Sequence, residues 1–504
     1  MTEQKEKAEI EQAKESLKEG QGTTIDNERA QMLAQLPDPD IGKSDEERAA
    51  IDKKLVRKVD VWLIPWLSLL YLLSFLDRTN IGNARLAGLE RNLGMSSSDY
   101  NLALCIFFIT YALFEPMTNA ILKRATPRVF FTSIIIAWGV IMTLMGLVKN
   151  LRGLLAARFF LGTAEAGVGY YLSCWYKSSE IGLRVALFFS AAALAGSFDG
   201  LLAAAIAQMD GIANMPGWAW VFIIEGLGTV VVGFCCWWMV FDWPDTARFL
   251  TPDDRIRLQR RLINDKQGRM AEDFDKRHIY AALTDWKTYC YVAINSGCLV
   301  PLYAFSLFLP TILRGMGHQG TRAQLLSVPP YALAAISTIA VGYIADKTRQ
   351  RVWCMMATVM VGMIGFVLLI STENPTVQYI GTFLGAAGIY PCVPNTISWA
   401  VNNTEGSLKR GIVVGMLVGF GNLNGLVSSN IYLTYQSPRF WTGHGVVLGY
   451  QFVFLLGTSA FLHFALKGEN KYRKAGKMDA KWEAMTDEQR WLAGDKRPDF
   501  VYTT

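Results

Sequence analysis

Apolar residues fall along the chain in twelve long runs, near 60–82, 101–123, 129–148, 153–175, 185–208 and 218–241, then 287–313, 323–345, 352–371, 377–400, 411–433 and 446–466. Each is about the length needed to cross a bilayer, because ~30 Å of hydrocarbon takes roughly 20 helical residues. A charged stretch, 242–285, divides the runs into two sets of six. The pattern predicts an all-α membrane protein with twelve transmembrane helices in two pseudo-symmetric six-helix bundles, 53–241 and 286–467. Polar segments flank them at 1–52 and 468–504. The first is rich in Glu, Lys and Gln and is expected to be disordered; no early apolar core marks it as a cleavable signal.

An internal repeat supports two related halves. Phe160-Leu161-Gly162 in the fourth run returns as Phe383-Leu384-Gly385 in the tenth. Arg184, Gly196 and Gly200 around the fifth match Lys409, Gly421 and Gly425 around the eleventh, at a shared offset of 223–225 residues. Two such halves related by an axis along the membrane normal are a known transporter plan. Glycines four apart also let helices approach closely. Within the linker, Thr251–Asp254 reads as a cap opening a short amphipathic helix through Asn264.

Charge sets the orientation and removes several function classes. Lys53, Lys54, Arg57 and Lys58 precede the first run, Arg248 to Lys266 stud the linker, and Lys467, Lys471, Arg473, Lys474 and Lys477 follow the last. By the positive-inside rule both termini are expected in the cytoplasm. The net charge of +6 therefore reads as topology, with no continuous basic face for nucleic acid. Eight cysteines and four histidines lack metal-ligand spacing. No phosphate-binding Gly-Lys-Ser/Thr loop or nucleophile–His arrangement points to an enzyme or an ATP-driven pump. No cofactor is expected beyond a coupling proton.

The chemistry sits in charges placed inside apolar runs. The first run is apolar from Val61 to Leu76 and must continue through Asp77 and Arg78 to reach the far side. The fourth carries Arg158 and Glu165, seven residues apart and so on one helical face. A charge at the bilayer centre costs ~2.5–3.5 kcal/mol or more, so such residues are functional candidates by default. A buried salt-bridge staple is the competing reading. Burial favours the neutral carboxyl and a nearby Arg the charged one, so small movements switch the charge.

The strings carrying these residues resemble a known family. Phe75-Leu76-Asp77-Arg78-Thr79-Asn80-Ile81-Gly82-Asn83-Ala84, Arg158 through Glu165-Ala166-Gly167, and Tyr170 through Tyr176 are similar to the anion:cation symporter family of the major facilitator superfamily, in its fungal allantoate permease branch. The resemblance runs from about 52 to 500 and includes Gly388 to Asn395 and Gly421 to Asn430. It implies the major facilitator fold and proton-coupled uptake of a small organic anion, such as a vitamin acid or ureido acid. Arg78 would belong to the substrate-carboxylate region. Asp77 and Arg158 would form a charge pair that opens and closes with protonation, and Glu165 a second titrating carboxyl. The expected partners are the anion and the bilayer, with the chain a monomer in the plasma membrane.

Further residues follow from the second half. Gly342, Asp346, Lys347 and Arg351 between the eighth and ninth runs resemble the superfamily's cytoplasmic gating motif. Tyr303, Ser306, Asn395, Asn422 and Asn424, with Tyr111 and Glu115 of the second run, are candidates to line a substrate cavity or to bond between helices. Pro391 and Pro394 should break the tenth helix nearby. Glu225 reads as structural. Two features depart from the family: only Val168-Gly169 separates Glu165-Ala166-Gly167 from Tyr170, about four residues short, a little over one turn. Asp199 also stands where relatives tend to have Gly. It could alter the substrate, add a proton site, or simply face solvent in the cavity. An exporter of an acidic metabolite, or a nutrient sensor that does not transport, remain alternatives on the same scaffold.

Overall fold

The computed structural model describes residues 33, 36–163, 171–172, 174–177, 180–264, 276–318, 321–405, 407–437, 439–476, 482, 485, 494–498 and 500–504. The first half contains α1 (Asp45–Leu86), α2 (Ser97–Arg124), α3 (Pro127–Met145), α4 (Leu151–Thr163), α5 (Ile181–Ile206) and α6 (Gly217–Met239). Two linker helices follow, α7 (Pro252–Asn264) and α8 (Lys276–Leu283). The second half has α9 (Trp286–Gly315), α10 (Thr321–Thr348), α11 (Arg351–Ser371), α12 (Pro375–Ile389), α13 (Cys392–Asn402), α14 (Ser407–Asn430), α15 (Trp441–Gly449), a π-helical stretch Tyr450–Gly457, and α16 (Thr458–Lys474). This is the twelve-span, two-bundle all-helical architecture.

Ten helices among the described residues are long and apolar enough to cross a membrane unbroken. The fourth and tenth spans fall short for separate reasons. The fourth is described only as Leu151–Thr163, and Glu165, with Val168-Gly169, lies outside the described residues. The tenth is broken between Ile389 and Cys392, where Pro391 cannot donate a backbone hydrogen bond. Pro394 causes no second break; it lies in the first turn of α13, where the missing N–H has no intrahelical acceptor.

α1 also starts earlier than 53. Ser44 and Glu47 form a reciprocal capping box, so the helix opens at Asp45. The predicted linker helix is present: Thr251 Oγ1 accepts from the Asp254 amide at 3.2 Å and α7 runs to Asn264.

Within the first half α3 lies along α6 at glycine contacts. A Cβ on Gly139 would sit 2.7 Å from the Gly226 carbonyl oxygen, so only glycine permits this separation. The four repeat glycines of the fifth and eleventh runs have a different use: three of them lie where the halves cross. Gly196 and Gly200 of α5 face Tyr331 and Gln324 of α10, and Gly425 of α14 faces Phe108 of α2. Gly421 turns instead toward Asn295 and Leu299 of α9 in its own half. The repeated spacing thus serves two pseudo-equivalent crossings, α5 with α10 and α14 with α2.

The end of the molecule where α1 begins and α16 finishes is held by ion pairs. α7 docks on α1 through Lys58–Asp254 at 2.8 Å and Arg261–Asp52 at 3.2 Å. Phe249 stacks between Trp62 and Trp175, with centroids 6.0 and 5.9 Å away. Arg184 of α5 grips Asp60 of α1 with two hydrogen bonds, at 3.0 and 2.7 Å.

Candidate functional site

Ten consecutive residues of α1, Phe75 to Ala84, are all buried although five of them are Asp, Arg, Thr or Asn. A helix shows only one face to each neighbour, so burial all round requires partners on every side. α1 has α5 and α6 on two sides and α9 of the other half on a third. The polar residues divide between these faces.

Arg78 faces the other half. Its Nη1 donates to the Tyr303 hydroxyl at 3.2 Å, Tyr303 donates to Asn422 Oδ1 at 2.7 Å, and Asn422 Nδ2 donates to Glu115 at 3.1 Å. Phe75, Phe107, Tyr111 and Tyr303 surround the guanidinium with ring centroids 5.3–5.6 Å from Cζ. Four helices, two from each half, therefore meet at one cation. Aromatic faces attract cations while offering few hydrogen bonds.

Arg158 of α4 lies on the same Phe107 ring, 5.8 Å from its centroid, and is 1% exposed. Its Nε and Nη2 have no hydrogen-bond partner. No ion pair joins it to Asp77; the Asp77 carboxylate instead accepts from Thr229 of α6 at 3.1 Å. Two buried guanidinium groups thus flank one ring, and among the described residues no carboxylate pairs with Arg158.

Asp77 belongs to a second group facing α5 and α6. Thr79 donates to Asp199 at 3.0 Å, and Asn80 Nδ2 donates to Glu225. Asp199, expected to face solvent if it had little consequence, is only 5% exposed and bound into this layer. Glu225, which reads as structural in isolation, joins the same group. Residues 77 and 80 of α1 lie on one face opposite 229 and 225 of α6, so the two rungs are one helical turn apart.

Other candidates separate. Asn395 bonds back to the Pro391 carbonyl at 2.8 Å and Ser306 to that of Tyr303 at 3.3 Å. Asn424 bonds to Ser296 at 2.9 Å and to carbonyls of its own helix. Of these three only Asn424 reaches another helix, while Tyr111, Glu115, Tyr303 and Asn422 gather around Arg78.

The gating residues lie against the start of α5. Arg351 pairs with Asp346, and both side chains crowd the position a Cβ would take on Gly182. Gly342 abuts Ala186 one turn further along α5. Lys347 is exposed and extends over Tyr343, 5.9 Å from the ring, taking no part in the contact.

The last residues of the chain form a cluster that span-by-span reading missed. Asp495, 0% exposed, bridges Lys287 at 2.6 Å and Lys409 at 2.5 Å, and Asp285 is 2.8 Å from Lys409. Burial alone would raise the Asp495 carboxyl, but the two lysines together hold it below the usual carboxylate range. Tyr502 donates to Asp495 at 3.0 Å, Arg473 donates to Tyr502, and Trp399 Nε1 donates to the Thr503 carbonyl at 2.8 Å. The tail thereby ties together the ends of α9, α13, α14 and α16. A basic residue at a span end, such as Lys287 or Lys409, carries no mark in the sequence of a distant acid.

Residues 67–429 match the family model described as Major Facilitator Superfamily. The chain is 36% identical over 439 residues to the MFS-type transporter cnsO of Penicillium expansum, covering 84% of this chain and 85% of that protein. It is 30% identical over 459 residues to the high-affinity nicotinic acid transporter of Saccharomyces cerevisiae, covering 90% and 85%. Among solved structures, a bacterial homologue of the human lysosomal transporter Spinster, inward-facing and unoccupied, superposes with a TM-score of 0.58 over 80% of this chain and 95% of that one. At 15% identity that likeness concerns the fold alone.

Proposed function

The chain belongs to the Major Facilitator Superfamily and is a membrane transporter; on that premise we propose that it couples entry of protons to uptake of a small organic anion by alternating access. The observation that carries this reading is the buried guanidinium of Arg158, which no carboxylate pairs with among the described residues and which lies close to the same Phe107 ring as Arg78. Buried cations need anionic partners, and a carboxylate matches the planar fork of Arg with two hydrogen bonds. Arg78 also bonds to Tyr303 of the opposite half, so an anion that competes for it acts on the contact between the halves. That is what a substrate must do to change which side is open.

A heteroaromatic carboxylate such as nicotinate suits the surroundings, since Phe107, Tyr111 and Tyr303 supply ring faces beside the cation. The name of the yeast relative points to the same class. The end carrying both termini is assigned to the cytoplasm from its Lys and Arg excess, and the membrane to the plasma membrane. Asp77, Arg158 and Glu165 are assigned to proton coupling, and Tyr111, Glu115, Tyr303 and Asn422 to the anion's surroundings.

The test is uptake of radiolabelled carboxylates, nicotinate first, by the purified protein in liposomes with the outside acidic. Accumulation that collapses on adding a protonophore is the expected result. Uptake indifferent to the gradient, or no uptake across a panel of carboxylates, overturns the reading.

A further inference from the structure

Five buried oxygen atoms between α1, α5 and α6 have no hydrogen-bond partner: Asp77 Oδ1, Asn80 Oδ1, Asn83 Oδ1, Asp199 Oδ1 and Glu225 Oε1. Every one is an acceptor, and their side chains are at most 7% exposed. An unpartnered buried acceptor carries a desolvation cost, so five in one layer signal a missing donor.

Nearby donors do not supply it: Trp138 and Asn83 lie beside Asp77 and Asp199, yet Asp77 Oδ1 and Asp199 Oδ1 stay without a partner. Thr79 Oγ1 lies 3.1 Å from the carbonyl oxygens of Phe75 and Leu76 and 3.0 Å from Asp199 Oδ2, yet it has one hydrogen for three acceptors. A proton on Asp199 reverses that bond: the acid donates to Thr79, and the Thr79 hydrogen goes to its own helix. Thr229 likewise has one hydrogen, already directed at Asp77. No cation takes the role either, because no ion pair among the described residues reaches Asp77, Asp199 or Glu225. The described residues also contain no set of three His, Cys, Asp or Glu side chains that converge as metal ligands.

We propose that Asp77, Asp199 and Glu225 form a shared proton site on the side of α1 turned away from Tyr303, with Asp199 as the group that exchanges the coupling proton. The site rests on the proton-symport reading given above. The geometry favours Asp199 because α5, which bears it, packs against the other half at Gly200 and Gly196, one residue and about one turn away. Movement of α5 against α10 therefore alters the surroundings of Asp199 directly. The charged and titratable groups facing the site are Arg158 from α4 toward Asp77 and Tyr331 from α10 toward Asp199, while Arg78 turns to Tyr303 on the other side of α1. The three carboxyls also repel one another. Protonating one relieves that repulsion and supplies the missing donor, while release restores both costs. Nothing else is consumed: one proton binds from one side and leaves to the other.

The experiment has two readouts on the full-length protein. In liposomes, protons entering per anion are measured with a trapped pH dye in wild type, Asp199→Asn and Glu225→Gln. In detergent, infrared difference spectra across a pH step read the C=O band of protonated carboxyl groups, whether or not a variant transports. Loss of proton entry per anion in Asp199→Asn, with loss of part of that band, is the expected result. Thr79→Val should retain the band and shift the pH at which it appears. An unchanged ratio in Asp199→Asn, or an unchanged band in all three variants, overturns the proposal. Should the wild type itself take up carboxylates without protons, or with sodium in their place, the symport reading fails rather than the assignment of the site.

Discussion

The Tyr303 hydroxyl of α9 accepts a hydrogen bond from Arg78 of α1 at 3.2 Å and passes its own hydrogen to Asn422 of α14. One phenol therefore joins the cation of the first half to a polar chain in the second. In the transport reading, closure around substrate and recognition of substrate use the same atoms, and the contact is part of the cycle.

Replacing Arg78 by Lys keeps the charge and removes the planar fork, and an ammonium has a larger hydration cost. Anion affinity should fall at least about tenfold, since a hydrogen bond to a charged group contributes about 1.5–3 kcal/mol and tenfold in affinity is about 1.4 kcal/mol. Tyr303→Phe removes only the hydroxyl and should weaken binding less. Equilibrium binding of labelled substrate to purified protein checks both; wild-type affinity in Arg78→Lys would reduce Arg78 to a structural counter-ion.

Gly182→Val places a branched side chain where Asp346 and Arg351 meet the start of α5. The two halves must then separate at that end, shifting the population toward the conformation open there. A cysteine introduced near that end should react faster with a membrane-impermeant maleimide applied from the cytoplasmic side. Asp346→Asn should act in the same direction, since it removes the carboxylate that holds Arg351. Unchanged labelling in both variants would show that this contact does not restrain opening.

Much of this was legible in the sequence, for a definite reason. Asp77, Arg78 and Arg158 stand out because charges interrupt apolar runs, and that signal is local. Tyr303 and Asn422 could be named as polar residues in spans, but their meeting with Arg78 depends on how two halves dock. Glu225 illustrates the limit more sharply: its place beside Asp77 follows from the register of α1 against α6, which no local string encodes. The tail is harder still. Asp495 and Tyr502 lie in a polar segment with the composition of a solvated end, and only the folded chain reveals the lysines that bury them.

Asn402-Asn403-Thr404 is an acceptor sequence for N-glycosylation. It closes α13 at the end that also holds the C-terminal segment, where Asn403 bonds to Tyr291 at 2.9 Å and to the Thr503 carbonyl at 2.9 Å. With that end in the cytoplasm the site should carry no sugar. A glycosidase-sensitive mass shift that vanishes in Asn402→Gln would invert the assigned topology.

Asp495→Asn should destabilise the second half and change how it responds to acid. The carboxylate neutralises Lys287 and Lys409 at once, both at most 9% exposed, so its loss leaves two buried cations sharing Asp285. Breaking a buried pair by removing one partner costs about 3–5 kcal/mol. The lysines hold the Asp495 carboxyl below its ordinary value in the folded state. Its contribution is therefore complete above the ordinary carboxylate value of about 4 and is lost as pH falls through the lower folded value. The melting temperature of wild type should drop across that acidic window, whereas Asp495→Asn should melt lower at neutral pH and lose less on acidification. Tyr502→Phe separates charge from packing: it keeps the ring against Arg473 and Lys287 but removes the hydroxyl that donates to Asp495. A smaller loss with an intact acid response is expected there. Equal melting curves for Asp495→Asn and wild type would mean that the tail contributes nothing to holding α9, α14 and α16 together.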